Sequence, residues 1–461
     1  MPEISPKAVL IAGTHSGAGK TTVTAILLTA LRARGLRVRA FKLGPDFIDP
    51  GYHAEITGEP SINLDPWLMG EHGVRRSFGR WSRDADICVI ESMGALYDGA
   101  DGTERGSAAQ LAKLLGVPVV VVLDVWGMTR TAGAILDGLR AFDPQVRIAG
   151  CVLNRTGSQA HARMVLDALP ERLRGLVLGN VPRSAELDIP ERHLGLLTVQ
   201  ENPAARAPNW ARAGEHIETG RLSAIACGAP VPAPPVAPVR EPLARLAIAR
   251  DRAFCFYYAE NLHALRAAGF ELVPFAPAEQ ERLPGNIDAV YLGGGYPESF
   301  AEQLAGNTAL ARQLRDRAAA GLPVYAECGG LLYLARSLTG FDGRKHPMAG
   351  VLPIDIAMDP DHLVIRYTES RTTRASVLGP RGTVLRGQEF HQSRVIDADL
   401  EPGLFTVTTS TGDSFPAGYR SGNVVASYIH QHFGARPDIA ENLLRSALGN
   451  RPEQSTSAGC Q

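Results

Sequence analysis

An apolar run, AVLIAG at residues 8–13, passes through the turn THSGAG into KTTVTAILLTALRARG, and this order leaves few folds open. A continuous Val/Ile/Leu run suits a parallel strand buried on both faces. A glycine turn that then opens a helix with Lys-Thr has the form of a phosphate-binding loop. The standard spacing asks for glycine at position 14, whereas the chain carries Thr14 there and Gly13 one place earlier. The order of strand, turn, Lys20, Thr21 and helix is nevertheless intact. Backbone amides from Gly17 through Gly19 to Thr21 would face a phosphate, and Lys20 would reach the β and γ phosphates. The Thr21 hydroxyl would meet magnesium, and Thr22 completes the nucleotide-binding set. A glycine turn that merely caps a strand is the competing reading.

The same punctuation recurs. DICVIE, VPVVVVLDV and RIAGCVLN alternate with helical stretches in the first half, and LAIARD, AVYLGGG and PVYAECGG do so in the second. Alternating segments such as LFTVTTS then suit antiparallel strands. Residues 229–242, APVPAPPVAPVREP, hold six prolines and no periodic pattern, which suits an extended, semi-rigid linker. The expectation is an α/β chain of two domains, 1–228 and 243–450, joined by that linker and ending in a flexible tail, 451–461, that includes Cys460. Its 461 residues suffice for two cores.

Lysine plus arginine (47) nearly cancel aspartate plus glutamate (48), so no charge excess argues for nucleic acid or an anionic membrane. No run approaches the roughly 18 apolar residues of a membrane helix. The start MPEISPKAVLIAG is unlike a secretory signal, which makes the cytoplasm the expected compartment. The six cysteines are scattered, with no CxxC pair to suggest zinc or redox chemistry.

Two acidic features stand near the loop. KLGPDFIDPGYH, residues 42–53, sets Asp46 and Asp49 around Phe47 in a turn bounded by Pro45 and Pro50. By itself such a segment is an acidic turn. Glu91, ending DICVIE, is placed to hold magnesium beside a phosphate loop, and Asp124, ending VVVVLD, competes for that role.

In PVYAECGGLLYL, Cys328 lies between a strand-like run and a helix-like run and is followed by two glycines, the pattern of a nucleophile elbow. A buried structural cysteine is the alternative. YLGGGYPE supplies Gly294 and Gly295, whose amides suit an oxyanion hole. ASYIHQHF supplies His430 and His432, either of which could take a thiol proton.

The ordered series GKTT, KLGPDFIDPGYH, IPERHLGL, AFCFYYAENL, YLGGGYPESF, AECGGLLYL, GQEFHQSR and ASYIHQHF, spanning both halves, resembles the cobyrinic acid a,c-diamide synthases, including the hydrogenobyrinic acid branch. The resemblance implies a dethiobiotin-synthetase-like P-loop domain and a class I glutamine amidotransferase-like domain. It makes 1–228 the ATP-binding amide-ligase domain and 243–450 the glutamine-using one. Implied cofactors are ATP and Mg2+; implied partners are L-glutamine and a corrin, cobyrinate or hydrogenobyrinate, with a homodimer as a candidate assembly. The early glycine at Gly13 is shared with dethiobiotin synthetases. Cys328 would be the nucleophile, His430 its base, and Thr21, Asp46 and Glu91 the metal set. Asp46 and Asp49 would line the reacting carboxylate, with Tyr52 and His53 as corrinoid contacts. Ammonia would travel by a passage between domains.

The chain departs from the family at Ser92 and Met93, at Gln388, where histidine is usual, and at His432, where triad-type amidotransferases carry glutamate. Two rival functions are a paralogue amidating another tetrapyrrole or polycarboxylate and a partitioning-type P-loop ATPase with an inactive amidotransferase module.

Overall fold

The structure, a computed structural model, describes residues 3–192, 195–201, 209–234, 241–279 and 282–450. The chain divides into two compact units, Met1–Val236 and Ala237–Gln461.

The first unit is built on a seven-stranded, wholly parallel sheet ordered Ile62–Leu64, Val38–Leu43, Ile87–Ala95, Ala8–Gly13, Val119–Asp124, Ile148–Thr156, Val177–Pro182. Its central strands are apolar without alternation because both faces are covered: Ala8–Ala12 and Val119–Leu123 are all fully buried. Helix Lys20–Ala33 lays Val23, Ile26, Leu27 and Leu31 into the core, against Trp210 and Ala213. Each such aliphatic side chain contributes about 1.5–3 kcal/mol on burial. With Ala8–Gly13 central, the loop that follows it opens at the C-terminal edge of the sheet, where doubly wound folds bind ligands.

The proline-rich stretch is extended at its start but docked on the first unit, not free of it. Val231–Pro232 pairs antiparallel with Glu3–Ile4, and Val231 and Ala233 are fully buried. Arg75 donates to the Pro230 carbonyl at 2.6 Å and Arg83 to that of Ala233. Helix Pro66–Ser82 approaches so closely that a Cβ at Gly79 would lie 2.0 Å from the Pro232 oxygen. Proline is tolerated in this two-residue edge ribbon, where few ladder bonds are at stake. Residues 235–240, 193–194 and the expected tail with Cys460 lie outside the described residues.

The second unit has a six-stranded sheet ordered Phe270–Phe275, Ala244–Ala249, Ala289–Leu292, Val324–Glu327, Val424–Ser427, Tyr419–Ser421, parallel except for the last strand. Five antiparallel strands form a second sheet, in the order Ser414–Ala417, Phe405–Thr409, Val364–Thr372, Val384–His391, His430–His432. The chain thus leaves the parallel sheet at Ser427 and enters the antiparallel one at His430, within three residues. That crossing places His430 three residues beyond Ser427, the parallel-sheet partner of Glu327. Among the described residues no helix is long and apolar enough to cross a membrane.

Candidate functional sites

In the first unit the turn closes at Gly17 (φ 82°) and Gly19 (φ 85°), left-handed values that glycine adopts without strain. Gly19 is required on a second count: a Cβ there would lie 2.2 Å from the Asn154 amide nitrogen. That amide donates to the Ala18 carbonyl at 2.8 Å, so Asn154, near the end of the strand second from Ala8–Gly13, braces the loop. Lys20 begins the helix and is mostly buried, with Thr21 and Thr22 half-buried after it. Burial, and then the nearby Lys42 ammonium, lower the pKa of Lys20 below the ordinary lysine range.

The Thr21 hydroxyl donates to Glu91 Oε1 at 2.9 Å. Asp124, the sequence alternative, is instead paired with Arg155 at 2.7 Å and accepts the Trp126 N–H. Glu91 is fully buried, and its other oxygen meets His53 Nε2 at 2.7 Å. The acidic segment is a turn only as far as Ile48. Helix Asp49–Thr57 then begins, with Pro50 in its first turn, where a missing N–H costs nothing. Asp46 Oδ1 accepts the N–H groups of Ile48 and Asp49, which leads the chain into that helix.

Lys42 was not singled out as a site residue in the sequence, yet it organises these acids. It is the register partner of Glu91 on the adjacent parallel strand, and its ammonium lies 3.0 Å from Glu91 Oε1, 3.6 Å from Asp46 Oδ2, and against Asp49. Burial alone would depress Lys42, but Asp49, Glu91 and Asp46 outweigh it and hold the ammonium above the usual lysine range. Burial, offset by Lys42 and His53, leaves Glu91 well below the ordinary carboxylate value. Asp49 is pushed up, by burial and then by Asp46. The available signal for Lys42 was its position at the start of the acidic segment, one strand from Glu91.

Tyr52 and His53, expected to contact a corrin, are both buried. The Tyr52 hydroxyl donates to the Leu197 carbonyl at 2.7 Å, and His53, fully buried, bridges Glu91 and Ser61. Ser92, one departure from the family pattern, is buried, and its carbonyl accepts from Lys42; Met93 is exposed and lies over Gly44.

In the second unit Cys328 adopts φ 45°, ψ −100°, between strand Val324–Glu327 and helix Gly329–Leu334. Few non-glycine residues hold such an angle, and here it falls at a cysteine in a strand-to-helix elbow, a strained turn. The following glycines admit the fold: a Cβ at Gly330 would lie 2.3 Å from the Leu292 oxygen, and one at Gly329 would lie 3.1 Å from the Gly295 nitrogen. Gly294 meets the His430 ring, whose Cε1 would be 2.2 Å from a Cβ there. Gly294 and Gly295 therefore lie between the cysteine elbow and His430.

The sequence pattern implies an exposed sulfur. Cys328 is only 8% exposed, and burial, then Glu298, push its thiol above the ordinary range. Burial takes His430 down to about 3. Both groups are neutral at pH 7. Phe390 approaches with its carbonyl 4.0 Å from the Cys328 sulfur, and Gln388 is the register partner of His430. His432 is fully buried beside Tyr258 and accepts the Gly434 N–H.

Residues 9–197 match the family described as the CobQ/CobB/MinD/ParA nucleotide binding domain, and residues 245–438 match the CobB/CobQ-like glutamine amidotransferase domain. Curated relatives named cobyrinate a,c-diamide synthase are similar over nearly the whole chain. The relative from Leptospira interrogans is 40% identical over 452 residues, 95% of this chain and 98% of its own. That from Synechocystis sp. is 40% identical over 463 residues, covering 95% and 93%. That from Syntrophotalea carbinolica is 40% identical over 452 residues, covering 96% and 98%.

Proposed function

The chain belongs to the cobyrinate a,c-diamide synthase family of glutamine-hydrolysing ligases in cobalamin biosynthesis, and from that premise we propose that it uses ATP and glutamine to amidate the a and c carboxylates of a corrin through acyl phosphates. The observation that carries this reading is the Cys328 elbow with His430 against Gly294, on a chain that also holds a phosphate-loop turn; it supports an ammonia-producing site.

A carboxylate is a poor acyl donor. Transfer of the γ-phosphoryl group to a corrin carboxylate gives an acyl phosphate and ADP; Lys20 and the amides of Gly17–Thr21 face the phosphates. Asp46 and Asp49 line the reacting carboxylate, and Lys42 offsets the repulsion between these acids and an anionic substrate. In the second unit His430 takes the Cys328 proton as sulfur attacks the glutamine amide carbon. The amides of Gly294 and Gly295 receive the oxyanion, and ammonia leaves with the proton. Water hydrolyses the thioester to glutamate and free thiol. Ammonia displaces phosphate from the acyl phosphate, giving the amide. Consumption of ATP and glutamine fits the cytoplasm as the working compartment.

The donor set fits magnesium. The Thr21 hydroxyl and Glu91 carboxylate are adjacent hard oxygens beside the phosphate loop, and Asp46 is the most open of the nearby acids. Among the described residues no group of three or more acids, histidines or cysteines is arranged to hold a metal unaided, so nucleotide phosphates and water would complete the shell. Bound there, magnesium would neutralise charge on the transferring phosphoryl oxygens. Glu91→Gln is expected to raise the magnesium concentration for half-maximal rate by about 10- to 100-fold. An unchanged magnesium dependence and rate would exclude Glu91 from the site.

The direct test of function is mass spectrometry of products from cobyrinic acid and its metal-free counterpart, each with ATP and glutamine. Two exchanges of acid for amide on one of these corrins are expected. No amidation of either would overturn the assignment.

A further inference from the structure

Glu327, immediately before the nucleophile, is 1% exposed. Its carboxyl accepts three donors: the hydroxyls of Tyr291, at 2.8 Å, and of Tyr325, and the Gln431 backbone N–H at 2.9 Å. Gln431 stands between His430 and His432. From the other side Asn261, fully buried in helix Ala259–Ala268, donates to the Gln431 carbonyl at 2.7 Å and accepts the Phe433 N–H at 2.8 Å. Two buried side chains thus grip the backbone beside His430 at three points. Little slack remains, since a Cβ on the neighbouring Gly387 would lie 2.3 Å from the His430 carbonyl oxygen.

A carboxyl group taken wholly out of water is costly, and an apolar residue would pack this sheet as well. What sets Glu327 apart is where its partners lie. Tyr291 is on the strand that runs into Gly293–Gly295, Tyr325 is on the nucleophile strand, and Gln431 adjoins the base. One carboxyl therefore ties together the three elements that must keep register for amide hydrolysis. Position 432, where triad-type amidotransferases carry glutamate, is histidine.

We propose that Glu327 is the positioning residue of the glutaminase site, holding the base strand by its backbone where a triad carboxylate would hold the histidine ring. This rests on the reading of Cys328 and His430 as nucleophile and base. A displacement of the base by about 1 Å is enough to lower a rate about 100-fold.

The test compares glutamine hydrolysis and ammonia-driven corrin amidation in the full chain for wild type, Cys328→Ser, Glu327→Ala and Glu327→Gln. Glu327→Ala is expected to lower glutaminase kcat by roughly 10- to 100-fold, with the KM for glutamine and ammonia-driven amidation unchanged. Glu327→Gln keeps an acceptor for the Gln431 N–H, and the tyrosine hydroxyls can turn to accept its amide, so it restores most of kcat. Wild-type kcat in Glu327→Ala, or a Glu327→Gln variant as impaired as the alanine variant, overturns the proposal alone. Cys328→Ser retaining glutaminase activity overturns the underlying reading instead. If Glu327→Ala yields no folded protein, Tyr291→Phe decides: it removes one donor and keeps the ring, so a lower kcat at unchanged KM supports the proposal and an unchanged kcat overturns it.

Discussion

Cys328→Ser is expected to abolish glutamine-driven amidation, by roughly a thousandfold or more, while amidation driven by ammonium salts continues at the wild-type rate. The asymmetry follows from where the residue stands. Cys328 occupies a left-handed elbow in the second unit, and the serine oxygen fits the same turn without disturbing Gly329 or Gly330. A serine hydroxyl, however, is a far weaker acid than a thiol, and a base as weak as His430, which burial holds at about 3, does not activate it to form the acyl ester. The same neutral pairing predicts how the wild-type thiol behaves without substrate. With its pKa raised, Cys328 carries less thiolate at neutral pH than a free cysteine, so alkylation by iodoacetamide should be slow there. It should accelerate as pH rises beyond the ordinary thiol range. Rapid, pH-independent alkylation near neutrality would mean that a thiolate–imidazolium pair already exists, and would sink the neutral-pair account.

The parts of this architecture that were legible in the sequence are those whose physics is local. Continuous Val/Ile/Leu runs announced parallel strands, and LFTVTTS announced an antiparallel one, Phe405–Thr409. The glycines around Lys20 and Cys328 marked turns that a Cβ would obstruct. Lys42, Asn154, Glu327 and Asn261 escaped notice because each acts through a neighbour distant in sequence. Glu91 lies 49 positions beyond Lys42 and becomes its partner only because their strands pair in parallel. Asn261 holds a carbonyl 170 positions away. The intramolecular partners of Tyr52 and His53 are hidden in the sequence for a related reason, since Leu197 and Glu91 lie far along the chain. The proline-rich stretch fits its sequence reading only in part, since a short edge strand tolerates proline as well as a linker does.

Removing Lys42 should be still more damaging than removing Cys328, because it spares neither nitrogen source. Lys42→Met deletes the only ammonium in contact with Asp46, Asp49 and Glu91 in the described structure, leaving three carboxylates close together and two of them buried. Breaking a buried ion cluster by removing one partner costs about 3–5 kcal/mol. The first unit should therefore melt well below wild type, and amidation should fail with glutamine and with ammonia alike, while glutamine hydrolysis in the second unit persists. The pH dependence has a definite sign. Burial already raises Asp49, and Lys42 is the main group holding Glu91 down, so without Lys42 these two buried carboxyls rise; the penalty is full at neutral pH and shrinks as pH falls through the raised values and protons replace the lost charge. Adding Asp49→Asn to Lys42→Met removes one of the repelling charges and should recover much of the melting temperature without recovering amidation. If the double variant regained both, Lys42 would be a structural counter-ion only; if Lys42→Met lost glutamine-driven but not ammonia-driven turnover, the assignment of the carboxylate-activating chemistry to the first unit would fall.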